Sequence, residues 1–146
     1  MKKQFFRISG FLVLAALAAT QVTRAQERII VNVPFEFTAG DTKLSAGEYT
    51  VGKNSSDSPV LLIARTDRSE AILVPSNAAQ ANEAQSDSKL VFHKYGDRYF
   101  LAQVWTAGSA RGRELMKSAA EKEISLSARI ENPEQVTLYA SLISPK

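Results

Sequence analysis

Two largely apolar runs within Lys89–Trp105 flank the pair Gly96-Asp97. No other feature limits the fold so tightly. A two-residue connection whose glycine supplies positive φ is a β-hairpin turn, so the runs must pair antiparallel. That register sets Tyr95 opposite Arg98, His93 opposite Phe100 and Phe92 opposite Leu101. One face then carries Leu90, Phe92, Tyr99, Leu101 and Trp105; the other carries Val91, His93, Phe100, Ala102 and Val104. Because both faces are largely apolar, something must cover the second, either a sheet that closes on itself or a helix.

The rest of the chain follows the same two-residue period. In Ile29–Thr38, Val31, Val33, Phe35 and Phe37 point one way, with Asn32, Pro34, Glu36 and Thr38 opposite, as in a strand with one buried face. Pro34 cannot donate to a ladder, which implies an edge or a bulge. Turns are expected at Ala39-Gly40-Asp41 and within Leu44–Glu48, and a second strand from Tyr49. Val60–Ala64 is apolar throughout, as in a central strand covered on both sides. Thr66–Ser69 turns the chain, and Ala71–Val74 returns beside it. Pro75–Ser88 has no large apolar residue and reads as a long mobile loop.

Ser118-Ala119-Ala120-Glu121 matches a capping box, in which Ser118 accepts from the Glu121 amide and the Glu121 side chain reaches back. A helix is expected over Ala119–Ile130, with Ala120, Ile124 and Ala128 on its docking face and Asn132-Pro133 as its stop. The alternation of Ile124–Ala128 also fits a strand. Gln135–Leu142 is the final strand. Together these elements predict a mainly β fold, a small antiparallel barrel or sandwich of about six to eight strands with one helix near the C-terminus.

The first twenty-five residues read as an address. Lys2, Lys3 and Arg7 precede an apolar run over Ile8–Ala19, and Thr23 and Ala25 set small residues before a cleavage point after Ala25. The run falls short of the ~20 residues that span a bilayer as a helix. The expectation is a cleaved secretory signal over residues 1–25, a single domain over 26–146, and export to the periplasm or beyond with no stable membrane span. Cleavage removes Lys2, Lys3, Arg7 and Arg24, four of the 18 basic residues. Fourteen then stand against 15 acidic ones, so the formal charge moves from +3 to −1. The basic face that nucleic-acid binding requires goes with the signal.

Several chemistries lack their residues. With no Cys there is no disulfide framework, thiolate metal site, Cys nucleophile or lipid-modified Cys. His93 is the only imidazole, with no nucleophile or orienting carboxylate evident in the hairpin; it reads as a sheet histidine hydrogen-bonded to a neighbour. No sequence motif calls for a cofactor or a metal. Glu36, Glu48, Asp97 and Glu114 sit near turns or strands, and a hydrolase would need two of them within about 10 Å of each other in a cleft. Two binding sets remain. Tyr95, Arg98, Tyr99 and Trp105 cluster aromatics and a guanidinium around one hairpin, a composition favoured at interfaces and sugar-binding faces. Arg111, Arg113 and Lys117 form a basic stretch, loosened by Gly108 and Gly112, that suits a solvated loop or an anionic ligand.

The runs Val33-Pro34-Phe35-Glu36-Phe37, Leu44–Val51, Leu90–Phe100, Trp105-Thr106-Ala107-Gly108 and Gly112-Arg113-Glu114-Leu115 resemble a family of small exported bacterial proteins common in acidobacteria. The resemblance covers most of the chain after the signal. It implies export and a β-rich domain and carries no catalytic activity. Where such sequences read Leu-Pro-Ala-Gly this one has Ser45, so a looser turn is expected. The reading that follows is a non-enzymatic envelope or extracellular protein that binds a macromolecule, such as an envelope protein or a polysaccharide, or acts structurally. Its rivals are a carrier of a small apolar ligand in a barrel cavity and a carboxylate hydrolase.

Overall fold

The computed structural model describes residues 28–141. The expected signal over 1–25, the chain start at Gln26 and the end of the last expected strand at Leu142 lie outside the described residues. The first strands are β1 (Arg28–Val33), β2 (Phe37–Ala39), β3 (Thr42–Leu44), β4 (Gly47–Lys53), β5 (Val60–Arg65) and β6 (Ala71–Gln80). After them come β7 (Lys89–Tyr95), β8 (Arg98–Trp105), β9 (Arg111–Leu115), the helix α1 (Ala119–Ser127) and β10 (Glu134–Tyr139).

The strands form one sheet in the order β1-β4-β5-β6-β9-β8, which β8 continues to β7 and β10 while carrying the β2–β3 ribbon on its other side. Every pairing is antiparallel except β2 with β8, which meet in parallel at the single pair Thr38 and Phe100. The sheet is not closed. Its two ends touch at one bridge, where the Ser141 amide donates to the Ile30 carbonyl at 2.7 Å. The mainly β class with one helix before a last strand therefore stands, and two finer expectations are corrected: among the described residues there are ten strands rather than six to eight, and their sheet does not close into a barrel. The extra strands arise where Pro34 breaks the first run into β1 and β2, where Thr42–Leu44 pairs back on β2, and at β9.

The inward alternation survives that break. Ile29, Val31, Val33, Phe37 and Ala39 are all buried although they belong to two strands. They join Tyr49, Val51, Leu61, Ile63, Leu90, Phe92 and Leu101 in one core that fills the space behind the curled sheet. At roughly 25 cal/mol per Å² of buried apolar area, this core is the main source of stability. β5 is central as expected, but only Leu61 and Ile63 are fully buried; Leu62 and Ala64 on its other face are half-covered.

Pro75–Ser88 is corrected from a mobile loop. Ser76–Gln80 continues β6 and pairs with β9, and the turn beyond it is tied down. The Ala81 amide donates to Ala110, Gln85 and the 108–109 turn exchange two backbone bonds, and Ser88 Oγ accepts from the Ala107 amide. Ladder bonds need no apolar side chain, which is why a polar sequence here still makes a strand.

The hairpin forms as expected, with Gly96 at φ +61° and the register through Phe92–Leu101 as read. Beyond that point Val91 pairs with Gln103, so Ala102 is an extra residue in β8. A bulge of this kind reverses the facing of everything after it. Val104, not Trp105, therefore joins the core beside Leu90, a correction to the expected faces.

The helix caps on Ser118, whose Oγ accepts from the Glu121 amide at 3.1 Å. It ends earlier than expected. Arg129 adopts φ +54° and the Ile130 amide donates to the Ser125 carbonyl, closing the helix before Asn132-Pro133 is reached. Ala120 and Ile124 are half-buried as expected, whereas Ala128 is exposed.

Candidate functional site

β2 and β8 run side by side yet pair only at Thr38–Phe100. Next to that pair, between the segment after Pro34 and the β7–β8 turn, lies a cleft of about 180 Å³. Phe35 and Tyr99 stack at its wall, with ring centroids 3.7 Å apart and planes within 15°. The Phe35 ring also meets Phe92 edge-on at 5.1 Å, which anchors the wall in the core. Charged groups of both signs complete the lining: Glu36 and Asp97, Lys43 and Arg98. Lys43 Nζ lies 3.2 Å from Glu36 Oε1, with both side chains largely exposed. The Lys94 ammonium lies 5.8 Å from the centre of the Tyr99 ring, within cation–π range.

The sequence-derived binding residues separate. Tyr99 and Arg98 reach the cleft. Tyr95 turns to the other face of the sheet, packs edge-on to Phe100 at 5.8 Å and is buried. The Arg98 guanidinium lies 5.3 Å from the centre of that Phe100 ring, so the side chain bridges the cleft edge and the outer face. Trp105 stands seven residues along β8 from Arg98, roughly 23 Å at strand rise. There the indole donates to Gln103 Oε1 at 3.1 Å and lies across Gly112.

Of the basic stretch, Arg111 and Arg113 lie in strand β9, whereas Lys117 is exposed in the connection before the helix. Arg113 donates from Nε to Ser76 Oγ at 2.9 Å and from Nη2 to the Ser76 carbonyl at 2.6 Å, with the Pro59 carbonyl at 3.3 Å. It clasps β9 to β6 and the β4–β5 connection. Arg111 is exposed at the start of β9, where its amide donates to Ser109 Oγ. Gly112 makes room for the Trp105 ring instead of loosening the backbone.

His93 has an orienting carboxylate that sequence reasoning missed. Its Nδ1 lies 2.7 Å from Glu121 Oε1, and the same oxygen accepts from the Tyr95 hydroxyl at 3.0 Å. The capping box is thus half made. Ser118 accepts from the Glu121 amide, but the Glu121 carboxylate leaves the helix terminus for the sheet and is itself buried. Burial, then the adjacent carboxylate, pushes the Tyr95 hydroxyl up to about 12. The available signal was the position of Glu121, three residues before Ile124 and so beside it on the helix surface.

A second network surrounds the turn at Ser45. Tyr49 donates to Glu70 Oε2 at 2.8 Å with the Ser45 carbonyl at 2.7 Å, and Ser45 Oγ donates to Glu70 Oε1 at 3.2 Å. Arg65 Nε pairs with Asp67 at 3.0 Å. Burial and the Glu70 carboxylate raise the Tyr49 hydroxyl to about 12, while the Tyr49 hydrogen bond holds Glu70 below the usual carboxylate range. The Ser45 side chain therefore adds one hydrogen bond to this turn.

Among the described residues no three His, Asp or Glu side chains gather to hold a metal ion, and no helix is long and apolar enough to cross a membrane. No protein family, curated protein or solved structure matches the chain.

Proposed function

We propose that this chain is an exported envelope or extracellular domain that binds a macromolecular partner through the hairpin-tip cleft and does not turn it over. The carrying observation is the cleft itself, which Tyr99 and Arg98 line together with Phe35, Glu36, Lys43 and Asp97. Aromatic and arginine side chains in a surface recess have the composition of binding hot spots. The order of charge, apolar core and small residues over 2–25, together with the resemblance to exported bacterial proteins, supports export. His93, the only imidazole, is engaged with Glu121 in holding the helix to the sheet, a positioning role. The interior behind the strands is filled by Tyr49, Phe92, Leu61 and Ile63, which weighs against a carrier of apolar ligands.

The test is fractionation of the producing cells with intact-mass analysis. A chain starting near Gln26 outside the cytoplasm is expected; a full-length chain retained inside contradicts the reading.

A carboxylate hydrolase is a second reading, because Glu36 and Asp97 line one cleft. Against it, Glu36 is exposed and paired with Lys43. Loss of a measured glycosidase activity in both Glu36→Gln and Asp97→Asn would establish it.

A further inference from the structure

We infer that the hairpin-tip cleft recognises a single sugar ring of an envelope or extracellular polysaccharide. This inference rests on the binding function proposed above and names the ligand class for the same site.

Size is the first argument. At about 180 Å³ the cleft is smaller than the roughly 300–1,000 Å³ of pockets for drug-sized molecules. It admits one ring, or one residue of a chain that extends into solvent.

Charge is the second. The lining holds two carboxylates, Glu36 and Asp97, and two cations, Lys43 and Arg98, so it carries no net charge. Glu36 and Lys43 already neutralise each other at 3.2 Å. An anionic or cationic ligand gains no net attraction there. A neutral polyol gains from both signs, because each hydroxyl donates to a carboxylate oxygen and accepts from an ammonium or guanidinium N–H.

The wall is the third. The Phe35–Tyr99 stack presents aromatic carbon at the cleft. Because the two rings cover each other's faces, a ligand meets their edges, which are positively polarised and favour hydroxyl oxygens. Hydroxyl-matching charges beside an aromatic wall suit a saccharide better than an extended peptide.

The test is an amide-resolved NMR titration of the protein with cellotriose, maltotriose and chitotriose. At least one is expected to shift the amides of Phe35, Phe37 and Arg98 saturably, with a millimolar Kd. Asp97→Asn and Arg98→Ala alter exposed side chains at the turn and should weaken that binding about tenfold, one hydrogen bond to a charged group, with urea midpoints unchanged. No shift at the cleft with any of the three, or equal shifts in the variants, overturns the inference. A photocrosslinker at the exposed position 42, beside Lys43, in the native envelope separates the two failures. A protein adduct without sugar shifts removes the saccharide and keeps the binding function, whereas neither adduct nor shifts removes both.

Discussion

His93 Nδ1 lies 2.7 Å from Glu121 Oε1, joining the middle of β7 to the first turn of a helix 28 residues later. The carboxylate is buried and also accepts from Tyr95. Replacing it by Ala leaves two polar partners unpaired under the helix, so Glu121→Ala should cost about 3 kcal/mol. Glu121→Gln keeps the shape and part of the hydrogen bonding and should cost about 1–2 kcal/mol. Urea unfolding of the two variants checks the order; equal, negligible losses would show that the helix is held by something else.

Gly112 sits under the only tryptophan. A Cβ there would come within 2.5 Å of Trp105 Cε3, closer than carbon atoms approach. Gly112→Ala must displace the ring and should destabilise by about 1–3 kcal/mol, as overpacking does. The emission of Trp105 should shift with it, which fluorescence reads directly.

Tyr49 and Tyr95 both have hydroxyls raised to about 12. In the unfolded chain they ionise near 10, so the folded state holds their protons more tightly. The stability this represents is fully present below about pH 10 and is lost as pH rises towards about 12. A tyrosinate absorbance titration should show these two residues ionising late, together with alkaline unfolding. Ionisation of both near pH 10 in the folded protein would contradict their burial.

Glu70 owes its low carboxyl pKa chiefly to the Tyr49 hydroxyl. Its contribution to stability is present above the ordinary carboxylate range and fades as pH falls through its lowered folded value. Tyr49→Phe removes the first cause, and NMR titration of the Glu70 carboxyl should move up towards the ordinary value. An unmoved carboxyl would assign the shift to Ser45 and Arg65.

What the sequence disclosed depended on how local the physics was. The Gly96 turn fixes its own register, so Tyr95–Arg98 through Phe92–Leu101 could be read directly. The Ala102 bulge could not, because nothing in Leu101-Ala102-Gln103 marks the extra residue; the packing of Val104 into the core and Trp105 over Gly112 decides it. Ser76 was hidden for a related reason. It is a buried polar residue satisfied by Pro59 and Arg113, both distant in the chain. The cleft was half legible. Tyr99 and Arg98 stood out by composition, and Glu36 and Asp97 only as carboxylates with nothing to bring them together, whereas Phe35 and Lys43 looked like ordinary strand residues until β2 crossed to β8.

The most direct measurement of binding through the cleft is site-specific photocrosslinking in the native envelope, with the probe at the exposed position 42 beside Lys43 and at position 68 in the β5–β6 turn. A defined protein or polysaccharide adduct is expected from position 42 and none from position 68. Adducts of equal yield from both positions, or none from position 42, would contradict binding at the cleft.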